Sequence, residues 1–137
     1  MPAKLPRVVF DTNVFISAIL FGGNPRKVIE QARTGETRLI TSKSILLELA
    51  KKLHEKFGWE DQDIKEIIES VGVFAEVVSV KSRISKIKAD PADNKILECA
   101  KDGKADFIIS GDRHHILPLK KFGNAKILSP TQFLERR

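Results

Sequence analysis

The sequence predicts a three-layer α/β/α sandwich built on a mostly parallel sheet of about five strands. The first observation is a pair of short, continuously apolar runs at residues 7–10 and 106–110, which are typical of strands buried on both faces. The second is the alternation of strand-like and helix-like segments, which favours parallel strands joined by right-handed crossovers. An aspartate, Asp11 or Asp112, follows each apolar run. We therefore expect both at the carboxyl edge of the sheet, where open α/β folds bind ligands.

The individual elements follow from apolar spacing and from the residues that begin and end helices. Short apolar or β-branched runs predict strands at residues 7–10, 38–41, 74–80, 106–110 and 126–128. Apolar residues at helical spacing, with glycine or proline at the ends, predict helices at residues 13–20, 25–34, 43–57, 61–71, 91–102 and from 130 onward. The basic stretch 81–90 is compatible with either a loop or a short helix.

The chain has 137 residues, which suffices for one core, so we expect a single domain over residues 1–137. No apolar stretch approaches the roughly 20 residues needed to cross a bilayer, and the chain begins almost directly with a strand. We therefore expect no membrane partner and no signal peptide. Cys99 is the single cysteine, which excludes an internal disulfide and favours a cytoplasmic location. The net charge of +6 favours polyanionic partners such as nucleic acid.

Four acidic residues are candidates for a functional site, and each also has a purely structural interpretation. Asp11 could cap the following helix, but its place at a strand end favours a ligand site. Asp93 could stabilise the first turn of its helix, yet it shares a face with apolar residues, and an inward carboxylate needs a partner such as a cation. Asp112 follows a Ser-Gly turn at a strand end. Glu48, from the residues alone, is a surface glutamate that can pair with Lys52.

Four short motifs follow one another along the chain around these acids. They are Asp11-Thr12-Asn13-Val14-Phe15, Leu46-Leu47-Glu48-Leu49, Asp90-Pro91-Ala92-Asp93-Asn94 and Ser110-Gly111-Asp112. In order and spacing they resemble the signature of the PIN domain family, and in particular its prokaryotic VapC-like members, the toxin components of toxin–antitoxin pairs. The resemblance covers essentially the whole chain, and four motifs in the correct order are more specific than any one of them.

The resemblance implies a PIN-like fold and a ribonuclease that hydrolyses RNA phosphodiester bonds with Mg²⁺ or Mn²⁺. It implies catalytic and metal-binding roles for the four acids, Asp11, Glu48, Asp93 and Asp112. It also implies supporting polar contacts from Thr12, Asn13 and Ser110. The implied partners are a second copy of the chain, in a homodimer, and a cognate antitoxin protein. Many relatives have a further acid after the last aspartate, where this chain has Arg113-His114-His115, so the resemblance leaves open whether one or two ions bind.

The sequence contains no Ser–His or Cys–His nucleophile pair, so a metal-activated water is the expected attacking group. The basic residues of 81–88, with Arg113, would then hold the RNA backbone. Two alternatives remain. Residues 11–14 also resemble the opening motif of haloacid-dehalogenase-like phosphatases, although that family has a second acid where Asn13 stands. The other alternative is a PIN-like module that binds RNA or protein without catalysis.

Overall fold

The computed structural model describes residues 4–84, 91–111 and 116–136 of the chain. The strands of this described part are β1 (Arg7–Phe10), β2 (Arg38–Thr41), β3 (Ala75–Val77), β4 (Phe107–Ile109), β5 (Lys121–Phe122) and β6 (Ala125–Leu128). Its α-helices are α1 (Thr12–Leu20), α2 (Gly23–Arg33), α3 (Lys43–Phe57), α4 (Asp61–Phe74), α5 (Pro91–Asp102) and α6 (Pro130–Glu135). A 3₁₀ turn lies at Leu117–Leu119.

The sheet has the strand order β3-β2-β1-β4-β6-β5. All strand pairs are parallel except the β5–β6 hairpin, which confirms the predicted α/β/α sandwich with a mostly parallel sheet. β1 lies in the middle, with Val9 opposite Ile40 on one side and Ile108 on the other. The chain leaves β1 towards β2 and later returns to pair β4 on the opposite side of β1. The carboxyl ends of β1 and β4 therefore flank a topological switch point, which is the usual ligand crevice of such sheets.

The core consists of the central strands and the helix faces that pack on them. Side chains on both faces of β1, β2 and β4 are inaccessible, including Val8, Val9, Ile40 and Ile108 at 0% exposure. Burial on both faces explains why these strands read as continuous apolar runs instead of alternating patterns. None of the helices in the described part of the chain is long and apolar enough to cross a membrane.

The structure differs from the predicted strands in two details. The sheet has six strands in the described residues, which agrees with the prediction of about five, and the additional one forms because Lys121–Phe122 pairs with β6 across the turn at Gly123. A two-residue strand is too short for an apolar pattern, so it has no sequence signal. The strand predicted at 74–80 contains only Ala75–Val77, because α4 continues to Phe74 and the chain leaves the sheet after Val77.

Between β3 and α5, the residues that the structure describes (78–84) form neither strand nor helix. Residues 81–84 are irregular and run beside α5, whereas residues 85–90 lie outside the described residues. Gly103, just after α5, approaches the sheet closely. A Cβ at Gly103 would lie 2.5 Å from Cγ2 of Ile40 and 2.8 Å from the carbonyl oxygen of Cys99. Glycine at this position therefore lets the carboxyl end of α5 pack directly on β2.

Candidate active site

Asp11 lies where β1 ends and α1 begins, and its carboxylate is held from two directions. Its Oδ1 accepts a hydrogen bond from the amide of Val14 at 2.9 Å, so Asp11 is the N-cap of α1. Its Oδ2 accepts a hydrogen bond from the hydroxyl of Ser110, the residue that follows β4. The Asp11 side chain is only 4% exposed. These contacts fix the orientation of a nearly buried carboxylate at the switch point of the sheet.

A cavity of about 360 Å³ opens beside Asp11 at the carboxyl edge of the sheet. Three of the four predicted acids line it, namely Asp11, Glu48 and Asp93. They come from the start of α1, the middle of α3 and the first turn of α5. The fourth, Asp112, lies outside the described residues, as do Arg113, His114 and His115. The fold thus brings three carboxylates distant in sequence to one cavity.

The α3 side of the cavity differs from the prediction made from the residues alone. Glu48 is half-buried and faces the cavity instead of being a solvated surface residue. Lys52 is not paired with it in any ion pair among the described residues. Instead, Nζ of Lys52 donates to Oγ1 of Thr12 at 2.8 Å and to Oδ1 of Asn13 at 3.4 Å. Lys52 therefore connects α3 to the first turn of α1.

The three polar residues expected to support the acids have two different kinds of contact. Ser110, which is fully buried, contacts the Asp11 carboxylate directly. Thr12 and Asn13 line the cavity, and both accept hydrogen bonds from Lys52. Their visible role is therefore to hold a lysine beside the acids.

Three lysines line the cavity together with the three acids: Lys51, Lys52 and Lys95. The sequence reasoning missed them as site residues because surface lysines on a helix all look alike in sequence. A usable signal was their spacing, since Lys51 and Lys52 follow Glu48 by three and four residues and so share its helix face. The cavity thus presents both signs of charge, which suits an anionic ligand bound together with a cation.

The donor set suits a hard divalent cation. Carboxylate oxygens are the ligands that Mg²⁺ and Mn²⁺ prefer. The described part of the chain holds no ready-made group of three His, Cys, Asp or Glu side chains that could hold an ion. A preformed cage is not required, since Mg²⁺ is usually held by one or two carboxylates, its own waters and a substrate phosphate.

The softer ligands among the described residues lie elsewhere. Cys99 is fully buried, and burial raises the pKa of its thiol to about 12, so it stays protonated. His54 is exposed on α3, where its Nδ1 lies 3.2 Å from the carbonyl oxygen of Trp59. Neither residue lines the cavity.

Known proteins resemble this chain in sequence and in fold. A family model described as "PIN domain" matches residues 7–114. An uncharacterized protein of Methanocaldococcus jannaschii, MJ1680, is 31% identical over 94% of this chain and 90% of its own length. VapBC2 from Rickettsia felis, solved bound to a DNA fragment from its promoter, matches with a TM-score of 0.64 at 13% identity, over 88% of this chain and 96% of that chain. PAE2754 from Pyrobaculum aerophilum matches with a TM-score of 0.57 at 14% identity, over 95% of this chain and 88% of that chain.

Proposed function

The chain belongs to the PIN domain family, and from that membership we propose that it is a metal-dependent endoribonuclease that hydrolyses RNA phosphodiester bonds. PIN domains are generally nucleases, which supports hydrolysis of a phosphodiester as the reaction class. We further propose that this chain is the toxin component of a toxin–antitoxin pair.

The observation that carries the proposal is the composition of the cavity at the carboxyl edge of the sheet. Asp11, Glu48 and Asp93 line it together with three lysines. Three carboxylates facing one space repel each other, and that repulsion is relieved when a cation enters. A cation held by acids and an anion held by lysines are the two components that metal-assisted phosphodiester cleavage needs.

The residues that would hold Mg²⁺ or Mn²⁺ are Asp11, Glu48 and Asp93 in the cavity, joined by Asp112 after β4. When bound, such an ion lowers the pKa of a coordinated water and offsets the charge that develops on the phosphate. Ser110 keeps the Asp11 carboxylate in one orientation through the hydrogen bond that it donates. The absence of an acid at Arg113-His114-His115 favours a site that needs no fifth carboxylate.

The lysines of the cavity would bind the substrate. Lys51 and Lys95 are exposed, so their ammonium groups can reach phosphate oxygens in the cavity mouth. Lys52 is half-buried and held by Thr12 and Asn13, so its charge stays beside the acids. Contacts of this kind bind the RNA backbone without reading its sequence.

Charge-neutral substitutions of the acids test the proposal. Asp11→Asn and Glu48→Gln should abolish Mn²⁺-dependent cleavage of single-stranded RNA. Cleavage is measured by gel electrophoresis of end-labelled fragments. Asparagine is itself a good N-cap, and each variant removes one of the repelling carboxylates, so the melting temperature should stay unchanged or rise. Glu55→Gln is the matched control, because Glu55 is exposed on the same helix and does not line the cavity. Cleavage at the wild-type rate by both site variants would rule out this cavity as the active site.

The same assay separates the proposal from its alternatives. RNA binding with no metal-dependent cleavage would identify a binding module. A covalent phosphate trapped on Asp11 would identify a phosphatase of the haloacid-dehalogenase kind.

The proposed setting is a cytoplasmic homodimer with a cognate antitoxin. The similarity of the fold to the toxin–antitoxin complex VapBC2 supports an antitoxin partner. Expression of the wild-type chain should arrest cell growth, whereas expression of Asp11→Asn should not. Equal growth with both chains would contradict the toxin assignment and leave the nuclease assignment to be judged by the cleavage assay.

A further inference from the structure

The segment of residues 81–84, called here the anchored segment, is fastened to the last turn of α5. Asp102 accepts hydrogen bonds from the amides of Lys81 and Ser82 at 2.6 and 2.8 Å. It also accepts one from the Ser82 hydroxyl at 2.6 Å. These three bonds, the hydroxyl bond foremost, lower the pKa of Asp102 to about 2. The backbone of the anchored segment therefore has a defined path beside α5.

A second carboxylate, one helical turn earlier on α5, connects the anchored segment to the cavity. Oε2 of Glu98 accepts a hydrogen bond from the amide of Ile84 at 2.9 Å. Its Oε1 lies 3.3 Å from Nζ of Lys95, one of the lysines that line the cavity. Glu98 is only 4% exposed, and a buried carboxylate requires such partners. One buried side chain thus holds both a cavity lysine and the anchored segment.

The cationic side chains of the anchored segment are exposed and take no part in the hydrogen bonds that hold it. Lys81 and Arg83 are exposed, whereas Ser82 and Ile84 between and after them are partly buried. The two acids on α5, Glu98 and Asp102, accept hydrogen bonds from backbone amides and a hydroxyl of this segment. No ion pair among the described residues includes Lys81 or Arg83. The charges of Lys81 and Arg83 are therefore available to an anion from solution. The backbone that carries these two side chains is already held in place by its hydrogen bonds.

We propose that Lys81, Arg83 and Lys95 form one binding track for the phosphates of single-stranded RNA, and that Glu98 and Asp102 are its positioning residues. This inference rests on the proposed ribonuclease function. The track leads from the cavity along α5, where the two positioning residues are about 6 Å apart. A row of cations beside a concave site follows a strand's backbone and needs no particular base sequence.

The first test removes the charges of the track. Lys81→Ser/Arg83→Ser is compared with Lys27→Ser/Lys65→Ser, which removes the same charge from exposed positions on α2 and α4. Binding of a fluorescent single-stranded RNA is followed by anisotropy at several salt concentrations, in EDTA so that the metal needed for cleavage is absent. For two lost contacts we expect binding about 25-fold weaker at 0.1 M salt and a salt slope smaller by about 1.4, from a slope of about 0.7 per single-strand contact. The control should keep the wild-type slope.

The second test removes the anchor and leaves the track's cations in place. Asp102→Ala makes the protein more positive, so a simple charge effect would strengthen RNA binding. We expect binding about 5-fold weaker instead, equivalent to one lost phosphate contact. Asp106→Ala is the matched control, since the carboxylate of Asp106 likewise accepts a backbone amide, that of Arg7, at 2.9 Å. The control should bind RNA as well as wild type or better.

The outcomes separate this inference from the function on which it rests. If the wild-type protein binds RNA and Lys81→Ser/Arg83→Ser binds it with the same affinity, the track is overturned but the ribonuclease proposal is not. The same conclusion follows if Asp102→Ala binds RNA as tightly as wild type or more tightly. A wild-type protein that binds no RNA would overturn the ribonuclease proposal as well. Duplex DNA bound more tightly than RNA, and lost in the same variants, would overturn the assignment to single-stranded RNA.

Discussion

Asp11 caps helix α1 with its carboxylate and also lines the cavity. α1 begins directly after β1, so the free amides of the helix start lie at the same place as the ligand crevice of the sheet. Oδ1 of Asp11 caps the helix through Val14, and the side chain also lines the cavity. The capping and ligand interpretations of a strand-end aspartate are therefore compatible with each other.

Substitutions at Asp11 should separate the stability contribution from the chemical one. Asp11→Ala removes the N-cap and deprives the buried Ser110 hydroxyl of this acceptor, so we expect a loss of about 1–3 kcal/mol in the free energy of unfolding. Asp11→Asn keeps a capping oxygen, so its free energy of unfolding should stay unchanged or rise. Urea denaturation of both variants measures the difference. Equal stability of Asp11→Ala and wild type would show that the cap does not stabilise α1.

Lys52 should matter for stability, whereas its neighbour Lys51 should not. Lys52→Met removes the hydrogen bonds to Thr12 and Asn13 that join α3 to α1, which should cost about 1 kcal/mol in unfolding free energy. Lys51→Met, at an exposed position on the same cavity, is the control and should change stability by less than about 0.5 kcal/mol. Thermal and urea unfolding measure the stability of both variants. Equal stability of Lys52→Met and Lys51→Met would contradict this prediction.

At the scale of elements, the carboxyl ends of the central strands were predictable and the edge of the sheet was not. β1 and β4 are buried on both faces, so their residues form continuous apolar runs that sequence analysis recognises. β3 lies at one edge of the sheet and ends at Val77 because the chain then turns to α5, where tertiary contacts with Asp102 fix its path. Val78 and Val80 have the spacing of a strand but lie outside β3. The spacing of apolar residues alone does not indicate that the chain turns here, so the prediction extended the strand too far.

The attachment of the anchored segment to α5 should depend on pH in a defined direction. The pKa of Asp102 is lowered from 3.8 to about 2 by its bonds to Ser82 and Lys81, so the contribution of these bonds is complete above about pH 4. It should be lost as the pH falls through about 2. The protection factors of the two amides, which are exchange rates measured by NMR and corrected for the intrinsic pH dependence of exchange, should fall as Asp102 becomes protonated. Unchanged protection of both amides down to pH 2 would contradict the proposed attachment.

At the scale of the whole molecule, the topology assembles the candidate site. Asp11, Glu48 and Asp93 stand in three distant parts of the chain, and the parallel strand order of the sheet brings them to one cavity. The resemblance to a family identified these acids from their motifs. The cavity lysines escaped prediction because their role depends on which face of α3 meets α1, and that is a property of packing.

Cys99 offers a probe of the stability of the whole fold. It is fully buried in the core between α5 and the sheet, and burial raises its pKa to about 12. A thiol reagent at pH 8 should therefore react only when the domain opens, because the thiolate is the reactive form. The reaction should accelerate across the urea unfolding transition and be negligible in native buffer. Rapid labelling of the native protein would contradict this packing.

The central claim is that the carboxylates of Asp11, Glu48 and Asp93, with that of Asp112, bind a divalent cation in one cavity. Anomalous diffraction from a crystal soaked in Mn²⁺ measures this most directly. The account predicts an anomalous peak in the cavity, within about 2.0–2.6 Å of a carboxylate oxygen of Asp11 or of one of its partners. A cavity without a peak at saturating Mn²⁺, or Mn²⁺ bound only elsewhere on the protein, would contradict it.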